Sequence, residues 1–266
     1  MKTVLTIAGS DCSGGAGIQA DLKTMIANGC YGMSVITSLT AQNTTGVRSV
    51  LNSDPEFLSD QIDAVFEDIV PDAVKTGMIA SKELVEVTAE RLKFYGVKNI
   101  VADPVMVATS GADLSNSESV KALRESLIPL ASVVTPNIPE AEVLSGMKIS
   151  SRDDMTKACR KINAECGCSV LIKGGHNGSD CDDVLLHDGK VYIFEMKKID
   201  NPNTHGTGCT LSSAIACNLA KGMTVPEAVK RAKEYITGAI KAGLDLGHGR
   251  GPLDHGYDIT TEFKNT

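Results

Sequence analysis

The chain lacks an excess of basic residues: 26 Lys and Arg stand against 33 Asp and Glu, a net charge of −7. No lysine- or arginine-rich block supplies phosphate contacts, which argues against general nucleic-acid binding. It also lacks an apolar run approaching the ~20 residues of a membrane span. The opening run Met1 to Ala8 is apolar, but it stops at Gly9-Ser10-Asp11, too soon for an export signal, and reads as a first strand. With no export signal, the eight cysteines are expected to be free and the protein cytoplasmic. Cys166-Gly167-Cys168 is the one close cysteine pair, and without a second Cys or His pair at ligand spacing it argues against zinc. No repeat, low-complexity tract or long linker divides the 266 residues, so one domain over 1–266 is expected.

What is present is an alternation of short apolar runs and helical periodicities. Val4–Ala8 is followed by Gly15–Asn28, whose Ile18, Leu22, Met25 and Ile26 recur at helical spacing. Ser34–Thr40, Asp72–Thr76, Asn99–Ala102, Ser132–Thr135 and Ser169–Lys173 read as further strands. Helices are expected after Asp54-Pro55 and over Ser81–Tyr95. Near the end, His187-Asp188-Gly189 predicts a hairpin turn, and Thr224-Val225-Pro226-Glu227 opens a helix with one apolar stripe. Repeated strand–helix–strand units predict an α/β fold: a mostly parallel sheet with helices on both faces. A ligand should then sit beyond the carboxyl ends of the strands.

Glycines and polar residues gather at those strand ends. Gly9 to Gly17 carries four glycines between the first strand and the first helix. It fits neither Gly-x-Gly-x-x-Gly nor the Walker pattern ending in Gly-Lys-Ser/Thr, so a P-loop is excluded. Asn137-Ile138-Pro139-Glu140 has the spacing of a capping box, and Glu140 could equally stand near a hydrated Mg²⁺. Lys173-Gly174-Gly175 offers a mobile cation with room around it, or simply a solvated lysine at a turn. Asp103, before Pro104, could serve a metal or bond local amides. His205-Gly206-Thr207-Gly208-Cys209-Thr210 leads into a helix-like run. Amides that open a helix have no intrahelical acceptor and favour an anion, and the same field is expected to lower the pKa of a thiol at Cys209. Glycines, a lysine, carboxylates and an anion cradle at the ends of one sheet are the kit that phosphoryl transfer needs.

These segments resemble the hydroxymethylpyrimidine/phosphomethylpyrimidine kinases of thiamine biosynthesis, in the ribokinase-like superfamily. The resemblance runs through Leu5 to Asp11, Ser13 to Thr24, Tyr31 to Ser34, Thr40 to Thr44, Lys75 to Met78, Asp103 to Met106, Thr135 to Asn137, Lys173 to Gly175 and His205 to Thr210. It implies a three-layer αβα sandwich with a mostly parallel central sheet, a homodimer, and ATP with Mg²⁺ as co-reactants. It also implies phosphorylation of 4-amino-5-hydroxymethyl-2-methylpyrimidine and then of its monophosphate. By resemblance, Gly206, Thr207, Gly208 and Cys209 form the anion hole, with Cys209 as base or hydroxyl-orienting group where the sugar kinases carry Asp. Gln42 would read the ring, since an amide sets a donor beside an acceptor. Gly9, Asp21, Met78 and Val105 would line the acceptor pocket. Asn137 and Lys173 would serve the nucleotide, and Glu140 with Asp103 the metal.

Pyridoxal kinases of this fold are the nearest alternative. Those most like this chain carry a cysteine after the Asp-Pro-Val-Met segment, where this chain continues Val107-Ala108-Thr109-Ser110-Gly111, and they tend to lack a glutamine at the position of Gln42. A catalytically silent ligand-binding protein is the alternative of another class.

Overall fold

Strict alternation of buried side chains along the short strands builds two cores on one sheet. The structure is a computed structural model that describes residues 1–106, 117–175, 182–196 and 199–261. Its strands are β1 (Lys2–Asp11), β2 (Cys30–Asn43), β3 (Gly46–Asn52), β4 (Ala73–Thr76), β5 (Ile100–Ala102), β6 (Val133–Val134), β7 (Ser169–Ile172), β8 (Asp183–His187) and β9 (Lys190–Phe194). They form one nine-stranded sheet in the order β3-β2-β1-β4-β5-β6-β7-β8-β9. β2, β1, β4, β5, β6 and β7 are parallel, while β3, β8 and β9 add antiparallel edges.

Leu5, Ile7, Val74, Ile100, Val134, Val170 and Ile172 point to one face. There they pack against α2 (Pro55–Phe66), α3 (Lys82–Phe94), α5 (Ile138–Ser145) and α6 (Arg152–Cys166). Val4, Ala73, Val101, Val133, Leu171 and Leu185 point to the other face, covered by α7 (Thr207–Ala220) and α8 (Val225–Lys241) with Met25 of α1 (Gly17–Ala27). A further short helix, α4 (Ser117–Ala122), lies between β5 and β6 in the chain. Period-two strands with helices on both sides make the expected three-layer sandwich. Thr210 to Ala220 of α7 are buried without interruption, whereas α8 keeps the amphipathic stripe read from its sequence.

Most boundaries match the expected elements within a few residues. Asp54 caps α2 through Glu56 N and Phe57 N with Pro55 inside the first turn, and Asp188 (φ 47°) with Gly189 (φ 74°) makes the β8–β9 turn. β3 is the strand the pattern does not reveal. It is an edge strand exposed over most of its length, so Val47, Val50 and Leu51 show no alternation to read. β1 and β4 are neighbours although the chain runs outward through β2 and β3 between them. The crevice beyond such a reversal point is where open α/β sheets bind ligands.

Candidate functional site

Two helices that leave their first amides without a side-chain cap converge at this crevice. α1 and α7 have no side-chain cap, in contrast to α2, α3, α5 and α6, which are capped by Asp54, Ser81, Asn137 and Ser151. Gly206, the residue before α7, has φ 82°, and a Cβ there would fall 1.9 Å from Gly15 O. The left-handed turn and the contact both demand glycine. The two helix starts meet here, where a Cβ on Gly206 would also fall 3.3 Å from Ala16 Cα, and the Gly17 amide of α1 favours the ionised form of the Cys209 thiol.

Lys173, Asp103 and α7 form the first half of the site. Lys173 Nζ lies 2.8 Å from Asp103 Oδ1, which also accepts from Thr135 Oγ1 at 3.1 Å. Asp103 Oδ2 accepts from Ser212 Oγ at 3.3 Å, one turn along α7. A Cβ on Gly208 would stand 3.4 Å from Lys173 Nζ and 3.5 Å from Asp103 Oδ2, so the lysine borders the turn of amides directly. Burial works against charge on Lys173, but Asp103 and then Glu140 outweigh it and hold the ammonium protonated. The strand end that carries Lys173 is pinned from behind: Gly174 N donates to Asp183 Oδ1 at 2.9 Å, and Lys233 of α8 holds Asp183 Oδ2 at 2.6 Å.

Asn137 and Glu140 are engaged with each other. Glu140 N donates to Asn137 Oδ1 at 2.9 Å and Asn137 N to Glu140 Oε2 at 2.8 Å. Burial, countered by Lys173 and reinforced by Asp103, pushes Glu140 up to about 7. The capping reading of this spacing is therefore realised, and the cap sets the Glu140 carboxylate beside Lys173. Among the described residues no three His, Cys, Asp or Glu side chains gather as a metal cage.

The second half holds the residues expected for the acceptor. Gly9 and Met78 touch: a Cβ on Gly9 would fall 2.7 Å from Met78 Cε. Half-buried Val105 follows Asp103, with its amide on Asp103 O at 2.9 Å. Gln42 is partly exposed and lies 3.3 Å from His205 Nε2, so its strand is joined to the turn that opens α7. Cys12 of the first loop clamps the Gln42 backbone, facing its carbonyl at 3.1 Å and its amide at 3.4 Å.

Two expectations are overturned. Asp21 does not line the pocket: it is wholly buried beneath it, with its carboxylate taken by Lys75 Nζ at 2.8 and 2.9 Å, Thr6 Oγ1 at 2.6 Å and Ser213 Oγ at 2.7 Å. The Cys209 thiol is not lowered either. Burial pushes it up to about 11; Lys75 opposes this, Asp21 and Asp103 reinforce it, and the Gly17 amide opposes it again. The helix field is real, but desolvation in this cleft exceeds it.

Three residues of the site escape a reading along the chain. Lys75 is fully buried, and Asp21 with weaker help from Cys209 and Asp103 keeps it charged against its desolvation. Its signal was available: a lysine in a four-residue strand buried on both faces must have a buried partner. Asp11 and His205 are the others. The Asp11 carboxylate takes Ser13 N, Ser13 Oγ, Gly15 N, Ala16 N and His205 Nε2, which shapes the whole first loop. Burial alone would raise it, but the hydrogen bonds from His205 and Ser13 hold it down at about 2.

Comparison with known proteins agrees with this geometry. Residues 11–254 match the family described as phosphomethylpyrimidine kinase. The chain is 50% identical to a thiamine biosynthesis bifunctional protein of Geobacter sulfurreducens over 95% of its own length, and spans about half of that relative (52%). It is 48% identical to a phosphomethylpyrimidine kinase of Clostridium difficile 630, whose crystal structure superposes with a TM-score of 0.82 over 90% of this chain and 100% of that one. An ADP complex of a Bacillus subtilis pyridoxal kinase superposes with a TM-score of 0.88 at 42% identity, over 96% of this chain and 97% of that one.

Proposed function

Because the chain belongs to the phosphomethylpyrimidine kinase family, we propose that it transfers phosphate from ATP to the hydroxyl of 4-amino-5-hydroxymethyl-2-methylpyrimidine and then to the resulting monophosphate, in thiamine biosynthesis. One observation carries the reading: the uncapped start of α7 opens between Lys173 with Asp103 on one side and, through His205, Gln42 on the other. A nucleotide and an acceptor brought to these two sides would meet at Cys209.

In this reading the amides of Gly206 to Cys209 receive the transferring phosphoryl group, and Lys173 balances its charge. The bond from the γ-phosphorus to the ADP oxygen breaks as a bond from that phosphorus to the acceptor oxygen forms, and the hydroxyl proton leaves late in the transfer, to an oxygen of the phosphoryl group and from there to solvent. With a thiol held near 11, Cys209 acts as a neutral group that orients the hydroxyl rather than as a thiolate base. A loose transition state needs little proton removal before transfer, so a weak hydrogen-bonding partner suffices. The donor set fits a magnesium ion that keeps its waters and phosphate oxygens: Asp103 and Glu140 would hold it, and it would neutralise phosphate charge. The exposed Tyr31, Leu39 and Leu51 support a homodimer, and no described helix is long and apolar enough to cross a membrane.

The test is ATP-dependent turnover with the aminopyrimidine alcohol, following mono- and diphosphate separately. Cys209→Ala should lose most turnover while ATP still binds, and near-normal turnover would remove Cys209 from the mechanism. The second reading, a pyridoxal kinase, draws on the likeness to the Bacillus subtilis enzyme, and the ratio of kcat/KM for the two acceptors decides it. The expected contrast at Val107 to Gly111 lies outside the described residues. Absence of ADP production with either acceptor would leave a silent binding protein.

A further inference from the structure

One imidazole nitrogen faces two groups. His205 Nε2 lies 2.8 Å from Asp11 Oδ2 and 3.3 Å from the Gln42 amide nitrogen. The ring's place is fixed, for a Cβ on Gly15 would fall 2.4 Å from His205 Cδ2, and only glycine lets the imidazole lie against the first loop. Asp11 is an ionised carboxylate and can only accept; its other partners, Ser13, Gly15 and Ala16, all donate to it. His205 Nε2 must therefore present a hydrogen to Asp11, and a nitrogen that carries a hydrogen cannot accept from an amide NH₂.

The other end of the Gln42 amide meets the mirror-image conflict. Its oxygen is 3.2 Å from Thr40 Oγ1, whose single hydrogen already has Ser10 O as acceptor at 2.8 Å. A half turn of the amide removes both conflicts: the single imidazole N–H, given chiefly to Asp11 Oδ2 at 2.8 Å, is then shared with the Gln42 carbonyl as the longer arm of a three-centre bond, and the amino group faces the threonine oxygen.

We propose that His205, held by Asp11, turns the Gln42 amide so that its carbonyl faces the imidazole, and thereby fixes the donor–acceptor pattern that the cleft offers an acceptor ring. The proposal rests on the pyrimidine-kinase reading above. In the turned form His205 takes one oxygen lone pair and Thr40 one N–H, which leaves one lone pair and one N–H for a ligand. Those complement a ring nitrogen flanked by an exocyclic amino group, as in the aminopyrimidine alcohol. The ring nitrogen of pyridoxal lies between a methyl-bearing carbon and a C–H, and satisfies only half of the pattern. His205 is thus a positioning residue: it acts on acceptor choice through Gln42 and touches no reacting atom.

The experiment compares kcat/KM for the aminopyrimidine alcohol and for pyridoxal, at saturating ATP, in wild type, His205→Leu and His205→Gln. Leucine removes the N–H and should lower the preference for the aminopyrimidine on the order of tenfold, mainly through KM for that acceptor. Glutamine can still donate and should keep most of the preference. If leucine lowers kcat alike for both acceptors with the ratio unmoved, His205 merely supports the α7 turn and the proposal is overturned. Should the leucine form not fold, His205→Asn, whose amide donates but stops short of Gln42, takes its place under the same criterion. A wild type inert toward the aminopyrimidine overturns the functional reading and the proposal together, and is seen before any variant is measured.

Discussion

Replacing Lys75 by methionine tests whether a buried ion pair underlies the site. Lys75 and Asp21 are both fully buried, and the carboxylate's other partners are the hydroxyls of Thr6 and Ser213. Methionine keeps the length and apolar stem of lysine but leaves Asp21 ionised in a dry interior with two neutral donors. Breaking such a pair from one side costs about 3–5 kcal/mol, because the orphaned charge cannot reach water. Removing both charges together is far gentler, so Lys75→Met with Asp21→Asn should lie within about 2 kcal/mol of wild type. Urea unfolding reads the difference: with a slope near 3 kcal/mol per molar, the single variant should shift its midpoint down by roughly 1 M or more. A single variant that loses less than about 1 kcal/mol, or a double variant no more stable than the single, would refute the reasoning. Ser213 stands four residues beyond Cys209 on α7, so the same pair sets the rotation of that helix. Turnover should fall in the single variant and return in part in the double.

Three further outcomes follow from the geometry. Gly206→Ala should abolish turnover and lower the melting temperature, since φ is 82° and the new Cβ would meet Gly15 O at 1.9 Å; a soluble, active alanine variant would contradict the turn described. With its thiol near 11, Cys209 should be thiolate in only about one molecule in ten thousand at pH 7. Its iodoacetamide rate, mapped by mass spectrometry apart from exposed Cys12, should therefore still climb between pH 8 and 10, and a plateau below pH 8 would contradict the desolvated thiol. Burial, and after it Lys23, hold the His255 imidazole down at about 4 against an ordinary 6.5. Between those values the unfolded chain binds more protons than the folded one, so this contribution is complete above pH 6.5 and fades as pH falls towards 4, by roughly 3 kcal/mol. His255→Gln should flatten that part of the stability curve, and an unchanged slope would count against it.

The parts of the site that were legible in the sequence are those built by neighbours in the chain. The capping box of Asn137 and Glu140, the cap at Asp54, the Asp188-Gly189 turn and the glycine turn before α7 each need a few consecutive residues, and each is found where its residue types predict. The missing parts are those built across the sheet. Lys75 meets Asp21 from 54 positions away, and His205 meets Asp11 from 194. No periodicity records which buried charge will face which. The misplacement of Asp21, which the resemblance put in the pocket wall, has the same origin: only the strand packed beneath α1 shows where the carboxylate points.

The elevated thiol follows from that cross-sheet wiring and bears on how the site can work. A helix N-terminus favours an anion in whatever occupies it, and in the proposed reaction a Cys209 thiolate would compete with the phosphoryl group for that field. A thiolate there would repel the incoming phosphate and, in Lys75 and Lys173, find two cations already claimed by Asp21 and Asp103. A neutral sulfur leaves the amides of the turn to the phosphate alone. On the proposed reading, the arrangement would serve transfer to an alcohol better with the thiol protonated than with it ionised, and the electrostatic work would fall to the backbone of Gly206 to Cys209 and to Lys173. It follows that Cys209→Ser, a neutral hydroxyl of smaller reach, should retain more turnover than Cys209→Asp, whose fixed charge faces the same amides. Steady-state rates of the two variants at pH 7 check this ordering, and the reverse order would mean that the reaction uses an anion at this position after all.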